Sequence, residues 1–537
     1  MQATIPSAAL RGLEAYRVRV EVAITRGTPM IQVVGLPESA VREGRDRIRA
    51  AARSADLRVP GLRITVNLAP AGIRKGGAAF DLPILVGILA AWKKLPPGRC
   101  RRWAMVGELG LDGSLRPVRG ALPMALHARS AGDVDGMILP RDNLGEARPI
   151  TDFPVRGADD LAGVVDFLQG GAALPGPGDV PADRAPEPGD EPEPDLADVI
   201  GQERVKRALE VAAAGGHNLL LRGEPGAGKT MLARRLPGLL PELGLEEAVE
   251  VTAVHSVAGR LPAGGGLIEH RPFRSPHHTV SPAGLVGGGS IPRPGEASLA
   301  HRGVLFLDEL PEFGRASLEA LRQPIEEGRV TLVRARASLS YPARFHLVAA
   351  MNPCPCGHHT GVKERCTCSP ATVRRYAGRV SGPLLDRIDL HVDVPAVRWR
   401  ELRDGPGGES SARVRDRVRE ARQRASRRIA VLRGGQGPGG NGAGPPVPGP
   451  PGPAGEAPPA PVNASLTSRE LERVCRLDGA GESLLRRAVE RWGLSARGYH
   501  RVLRLARTVA DLAASERVRS AHLAEAVGYR VLERDGS

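Results

Sequence analysis

The sequence predicts a multi-domain α/β protein, with an α+β domain first, an αβα core second and helices at the carboxyl end. Three observations carry this reading. The apolar run Asn218-Leu219-Leu220-Leu221 leads into Gly223-Glu224-Pro225-Gly226-Ala227-Gly228-Lys229-Thr230, a strand that turns through glycines into a helix. A second apolar run, Val304-Leu305-Phe306-Leu307, ends in the adjacent acids Asp308 and Glu309. Two stretches cannot bury a core: 171–195 is acidic and Pro-rich, and 434–463 is almost wholly Gly, Pro and Ala. They leave an amino-terminal domain at 1–170, a core at 196–400 with a basic helical segment at 401–433, and a small helical domain at 464–537.

A chain of 537 residues has room for two to four cores. Its net charge of +15 admits nucleic acid as a partner, because a basic surface gains affinity by releasing counterions from phosphate. Only six of the 75 basic residues are lysine, however, and Arg, Ala, Gly and Pro dominate, as a GC-rich coding sequence would produce by itself. Aromatic residues make up 3%, too few for broad base-stacking platforms, so contacts to nucleic acid would be mostly to phosphate. No apolar stretch reaches the ~20 residues a membrane span needs. The amino terminus also lacks a signal-peptide pattern. A cytoplasmic protein with no membrane partner is expected.

Residues 1–170 contain β-like runs such as Arg63-Ile64-Thr65-Val66-Asn67-Leu68 and a helical stretch from Ala121 to Arg129. The stretches Asn67 to Asp81 and Gly107 to Val118 resemble the Lon protease proteolytic domain, which implies an α+β fold of the ribosomal protein S5 domain 2-like type. That chemistry requires a serine activated by a lysine. Ala79 and Leu122 stand at those two positions here, and Gly76 to Leu89 contains no serine. The resemblance therefore implies a Lon-protease-like domain without its dyad and without peptidase activity, retained as a platform for interaction or DNA binding.

In the core, the backbone N–H groups of Gly223 to Thr230 would cradle phosphates, Lys229 would reach the β/γ oxygens, and the Thr230 hydroxyl would reach magnesium. Asp308 would hold the same ion and Glu309 would polarise the attacking water. The implied chemistry is ATP hydrolysis. A third apolar run, Phe345 to Met351, ends at Asn352, where a sensor of the γ-phosphate belongs. In Gly382-Pro383-Leu384-Leu385-Asp386-Arg387-Ile388-Asp389, Arg387 is suited to donation across a subunit boundary, where it would stabilise transition-state charge. Ser495 to Arg501 opens a helix from which Arg497 could approach the nucleotide as a lid closes.

Cys354-Pro355-Cys356 and Cys366-Thr367-Cys368 hold four of the six cysteines. Two close pairs bracketing a loop can give four thiolates to one structural zinc, with reduced, metal-free thiols as the alternative. Four sulfur ligands would leave no open position for catalysis. Cys100 and Cys475 are isolated and read as packing residues. The helical domain has apolar residues at helical spacing, such as Leu484, Leu485, Ala488 and Val489, then Val502, Leu503, Leu505, Ala506, Val509 and Leu512. Arg413 to Arg433 reads as a strongly basic helix or as a solvated face laced with Asp416 and Glu420.

Strand-loop-helix, acidic strand end, polar sensor, subunit-crossing arginine and lid arginine, in this order, resemble the AAA+ ATPases of the magnesium-chelatase-like branch. Within it, Arg271 to Thr279, Met351 to Gly357 and Gly382 to Asp389 resemble the ComM/YifB competence-associated family over nearly the whole chain. The resemblance implies a hexameric ring with ATP between subunits, driving branch migration of DNA in homologous recombination and natural transformation, with recombination proteins as further partners. A magnesium-chelatase-type or other protein-remodelling ATPase with no DNA substrate is the rival. Two insertions of the branch match Val251 to Leu299 and a hairpin from Arg329 to Ser340. Strand alternation would put Arg334 and Arg336 on one face, opposite Val333 and Ala335, to grip DNA phosphates or to pair with acids at a subunit interface. His277 and His278, with no ligand set nearby, read as pore or interface residues.

Overall fold

The computed structural model describes residues 1–36, 39–73, 75, 77–179, 194–262, 264–289, 292–334, 337–359, 366–397, 408–434, 461–492 and 494–530. Much of the expected linker and insertion, at 180–193 and 435–460, lies outside the described residues, as does 401–407.

The chain starts with a hairpin. Strands Gln2–Arg11 and Glu14–Thr25 pair antiparallel, with Arg11 opposite Glu14 across a two-residue loop whose Gly12 has φ 68°. Such a loop needs the left-handed backbone that glycine adopts without strain. Strand Arg63–Ala69 pairs antiparallel with the second strand and parallel with Met30–Val34, completing a four-stranded sheet. Helix Asp81–Ala91 packs on this sheet and is buried at every position, so its sequence has no polar face to betray a helical period. A second, three-stranded parallel sheet of Trp103–Met105, Gly136–Pro140 and Val155–Ala158 carries helix Ala121–Ala131. Leu122 is buried in the apolar cluster under this helix, and Ala79 packs against the same cluster.

The core is a five-stranded, all-parallel sheet with the order Phe273–Arg274, Val304–Leu307, His346–Met351, Leu219–Gly223, Leu390–Val394. Covered on both faces, its central strands read as unbroken apolar runs rather than alternations. The stretch expected to be an insertion is in part structural, since Phe273–Arg274 is the sheet's edge strand. Chain order and spatial order part company at Leu219–Gly223, the first core strand in sequence, which lies in space between His346–Met351 and Leu390–Val394. Ligands of open α/β sheets bind at the carboxyl ends of strands beside such a point.

Helix Leu245–Ala258 joins the core to the amino-terminal domain. Its Val249 and Ala253 pack against the cluster under Ala121–Ala131. At the centre of the joint, the buried Glu146 carboxylate accepts from Leu122 N at 3.1 Å, from Asn143 Nδ2 at 2.7 Å and from the Ser256 hydroxyl, which in turn accepts from Gly120 N at 3.0 Å. Burial pushes the Glu146 carboxyl up, against the pull of these hydrogen bonds.

The basic segment forms helix Ser411–Gly434, with Val414, Val418, Ala421, Ala425 and Ile429 buried along one stripe. The expected solvated face is present in the exposed Arg413 and Arg427 and the pairs Arg419–Asp416 and Arg424–Glu420, although Arg424 Nη1 also donates to Asp511 O at 3.0 Å. Other arginines tie the helix to its neighbours: Arg417 to Glu210 at 2.6 Å, Arg428 to Asp511 at 2.6 Å and Arg433 to Glu470 at 2.8 Å. Their partners are remote in sequence and could not be read from local charge patterning. The terminal helices Ser468–Val474, Gly479–Trp492, Ala496–Leu512 and Ser520–Gly528 follow, the first with a Thr467/Glu470 capping box and the third capped by Ser495. This domain stands at the amino-terminal ends of the core strands, where Arg501 faces Asp389 at 3.5 Å and Arg530 Nη1 donates to Ile388 O at 2.9 Å. Among the described residues no helix is long and apolar enough to cross a membrane.

Asp511 is 2% exposed and binds Arg428, Arg507 and Asn463 Nδ2 together. Removing it strands buried guanidinium charge, so Asp511→Ala is expected to cost about 3–5 kcal/mol. Calorimetry should show the transition of the carboxyl-terminal domain at lower temperature; an unchanged trace would refute the role given to Asp511.

Candidate nucleotide site

The phosphate loop closes because two glycines take left-handed backbone, Gly226 at φ 77° and Gly228 at φ 86°. A side chain at Gly226 would meet nothing within 4 Å, so conformation rather than space requires glycine there. At Gly223 the reason is space: a Cβ would lie 2.4 Å from Val394 O of the adjoining strand. Ala227 is buried in the core beneath the loop.

Lys229 folds back over the loop. Its Nζ donates to Gly223 O at 2.8 Å, to Glu224 O at 2.9 Å and to Asn352 Oδ1 at 3.1 Å. Burial pushes its pKa down, opposed by the charges of Asp308 and Glu309. Thr230 Oγ1 donates to Asp308 Oδ2 at 2.7 Å, and Asp308 Oδ1 accepts from Glu309 N at 2.9 Å. Of the five positions expected to act on one nucleotide, Lys229 is thus hydrogen-bonded to Asn352 and Thr230 to Asp308, with Glu309 next in the chain. A hydroxyl and a carboxylate side by side are a hard, all-oxygen donor pair of the kind magnesium takes, and Lys229 holds acceptors that phosphate oxygens would replace. These residues fit ATP with magnesium.

Glu309 is held at φ 52°, a left-handed conformation rare outside glycine, with its side chain 55% exposed. Its Oε2 lies 3.5 Å from His278 Nδ1, and the His278 ring packs on His277 and edge-on to Phe313. The pore-or-interface reading of this histidine pair missed the contact. Its one sequence signal is position, just after the strand Phe273–Arg274 that pairs with the strand leading to Glu309.

Two arginines are not brought to the loop. Arg387 ion-pairs with Glu326 and donates to Pro383 O at 2.5 Å, while its own carbonyl accepts from Asn218 Nδ2 at 3.0 Å, at the amino-terminal end of the sheet. Arg497 is exposed at the start of its helix, and that helix is pinned by Arg501 to Asp389 at the same end. In this arrangement Arg497 stands away from the phosphate loop of its own chain. The hairpin forms from Arg329–Arg334 and Ala337–Pro342, with Arg334 opposite Ala337. The strand is described as far as Arg334, and Arg336 lies outside the described residues, so the shared face expected for Arg334 and Arg336 lies outside them too. The sulfur atoms of Cys354, Cys356, Cys366 and Cys368, just beyond Asn352, all lie within 4.8 Å of one another.

Comparison with known proteins agrees with this geometry. Residues 195–402 match the family described as magnesium chelatase, subunit ChlI; residues 20–143 match subunit ChlI of Mg-chelatase; and residues 408–530 match the ChlI carboxyl-terminal family. The chain is 44% identical to competence protein ComM of Haemophilus influenzae over 533 residues, covering 99% of this chain and 98% of that protein. It is 44% identical to YifB of Escherichia coli over 525 residues, 97% of this chain and 96% of that one. The 38 kDa subunit of magnesium chelatase from Rhodobacter capsulatus is 28% identical over 252 residues, 42% of this chain and 68% of its own.

Two substitutions separate binding from turnover. Lys229→Ala is expected to abolish binding of a fluorescent ATP analogue, whereas Glu309→Gln should bind it as the parent does and stall hydrolysis. Normal hydrolysis by Glu309→Gln would remove Glu309 from the reaction.

Proposed function

This chain belongs to the ComM/YifB family of magnesium-chelatase-like proteins, and on that premise we propose that it is an ATP-driven DNA motor of the branch-migration type, working as a hexameric ring in homologous recombination and natural transformation. The observation that carries the ring is the division of the site: Lys229, Thr230, Asp308, Glu309 and Asn352 surround one phosphate loop, while Arg387 and Arg497 stand at the far end of the sheet. A second copy supplies what the first lacks. Lys229 neutralises the β/γ oxygens, Thr230 and Asp308 hold magnesium, and Glu309 orients the attacking water. Asn352 reports the γ-phosphate through its bond to Lys229. The magnesium ion, when bound, neutralises charge on the phosphates. Arg387 of one subunit, released from Glu326, stabilises the transition state at its neighbour.

DNA as the substrate is supported by the net charge of +15 and by the competence name of the 44% identical relative. The hairpin, whose Val333 is 76% exposed, is the element offered to it, with Arg334 and Arg336 as the contacts. Residues 1–170 act in this reading as a Lon-protease-like platform without peptidase activity, because the positions of the dyad are the apolar Ala79 and Leu122. The carboxyl-terminal helices serve as the lid domain, acting on the neighbouring subunit. A protein-remodelling motor is the second reading, favoured by the match to the chelatase 38 kDa subunit.

Steady-state ATP hydrolysis with single-stranded, duplex and four-way-junction DNA, using Lys229→Ala as the blank, separates the two. Stimulation strongest with branched DNA and lost on raising salt supports the motor; hydrolysis indifferent to every DNA favours remodelling.

Arg387→Ala should lower turnover by about 10³-fold or more. Mixed with Lys229→Ala, which still carries Arg387, it should regain hydrolysis in shared rings. No recovery, with assembly intact, would place Arg387 in its own subunit's site.

A further inference from the structure

The four clustered cysteines are spaced for one metal ion. A tetrahedral zinc with Zn–S bonds of about 2.3 Å sets its sulfurs ~3.8 Å apart. Here Cys354 and Cys366 are 3.8 Å apart, Cys356 and Cys366 3.7 Å, and Cys354 and Cys356 3.2 Å. Disulfide sulfurs would be bonded at about 2.0 Å, and all four cysteines are free. Cys354 is buried and the other three are half-buried. The turn after the first pair is shaped to keep both sulfurs on one side: Gly357 takes φ 85° and its N donates to Cys354 O at 3.0 Å.

What this turn touches gives the cluster a second role. A Cβ at Gly357 would lie 2.5 Å from Pro225 Cδ and 2.6 Å from Pro225 Cγ. His358 Nδ1, which is buried with no hydrogen-bond partner, lies 4.0 Å from Glu224 Oε2. Glu224 and Pro225 belong to the phosphate loop, and the Glu224 carbonyl is one of the acceptors of Lys229. On the other side, only Pro353 separates Cys354 from Asn352, whose side chain also binds Lys229. The cysteine turn is therefore braced against the phosphate loop on one flank and continuous with the sensor on the other.

We propose that Cys354, Cys356, Cys366 and Cys368 bind one structural zinc ion as an all-thiolate site, and that this ion seats the Gly357–His358 turn against Glu224–Pro225, making ATP affinity depend on the metal. Four thiolates in tetrahedral array suit zinc or iron, and zinc is the ion without redox chemistry of its own. The coupling rests on the nucleotide reading above; the metal site does not.

The test uses the full chain as purified. Elemental analysis should find one zinc per chain, released by a mercurial thiol reagent and detected with a zinc-binding dye. Release should weaken binding of a fluorescent ATP analogue ~tenfold, and thiol recovery with added zinc should restore it. Cys356→Ser should lower zinc content and ATP affinity together. Gly357→Ala should keep its zinc yet bind ATP more weakly, because the new methyl displaces Pro225; this variant keeps the coupling testable where a cysteine variant fails to fold. A chain that neither contains zinc nor takes it up, or that contains iron instead, overturns the site. Unchanged ATP affinity on zinc release and in Gly357→Ala overturns the coupling. Zinc bound by a parent chain that binds no ATP analogue would overturn the nucleotide reading and leave the metal site standing.

Discussion

The shared direction of the five core strands is the constraint on which the rest depends. Because they are all parallel, every carboxyl end emerges on one edge of the sheet and every amino end on the other. The first edge gathers Gly223, Asp308 and Asn352, residues remote in sequence, into hydrogen-bonding range of Lys229 and Thr230. The second is occupied by Asn218, Arg387, Asp389 and the helices anchored through Arg501 and Arg530. A single chain therefore has two chemically different ends, one rich in phosphate-binding donors and one rich in arginine.

That polarity changes how the charge of +15 should be read. A good part of the arginine is structural. Arg417, Arg428, Arg433 and Arg507 each close an ion pair with an acid from another element or another turn, and Asp511 alone holds two of them. Burial makes the pairs at Asp511 demanding rather than strongly stabilising: their main effect is that neither partner can be lost alone. The helix Ser411–Gly434 is basic because it is a cross-link between the core and the terminal helices, and its apolar stripe does the packing.

How much of this was legible in the sequence follows from distance along the chain. The phosphate loop, the acids ending Val304–Leu307 and the polar residue after His346–Met351 were visible because each is a local pattern with a local mechanism, and the structure places them side by side. The hairpin was visible from its strand-forming run, while the shared face expected for Arg334 and Arg336 falls outside the described residues. The approach of His278 to Glu309, the pairing of Glu146 with Ser256 and the station of Arg497 were not legible. Each depends on which elements the tertiary fold brings together, and no spacing rule reports that. The buried helix Asp81–Ala91 failed to announce itself for the opposite reason: with no solvent face, it has no period.

The joint at Glu146 has a mechanical meaning. Its carboxylate is shared between the amino-terminal domain, through Leu122 N and Asn143, and the core helix Leu245–Ala258, through Ser256. A buried acid that accepts three hydrogen bonds from two domains is costly to leave with any of them unmade, so the joint resists sliding. The core helix is fastened at this joint near its carboxyl end, and the chain beyond it runs on to His277 and His278 beside Glu309. A load taken up by the amino-terminal domain therefore enters the core through this helix, the element that precedes the segment touching Glu309.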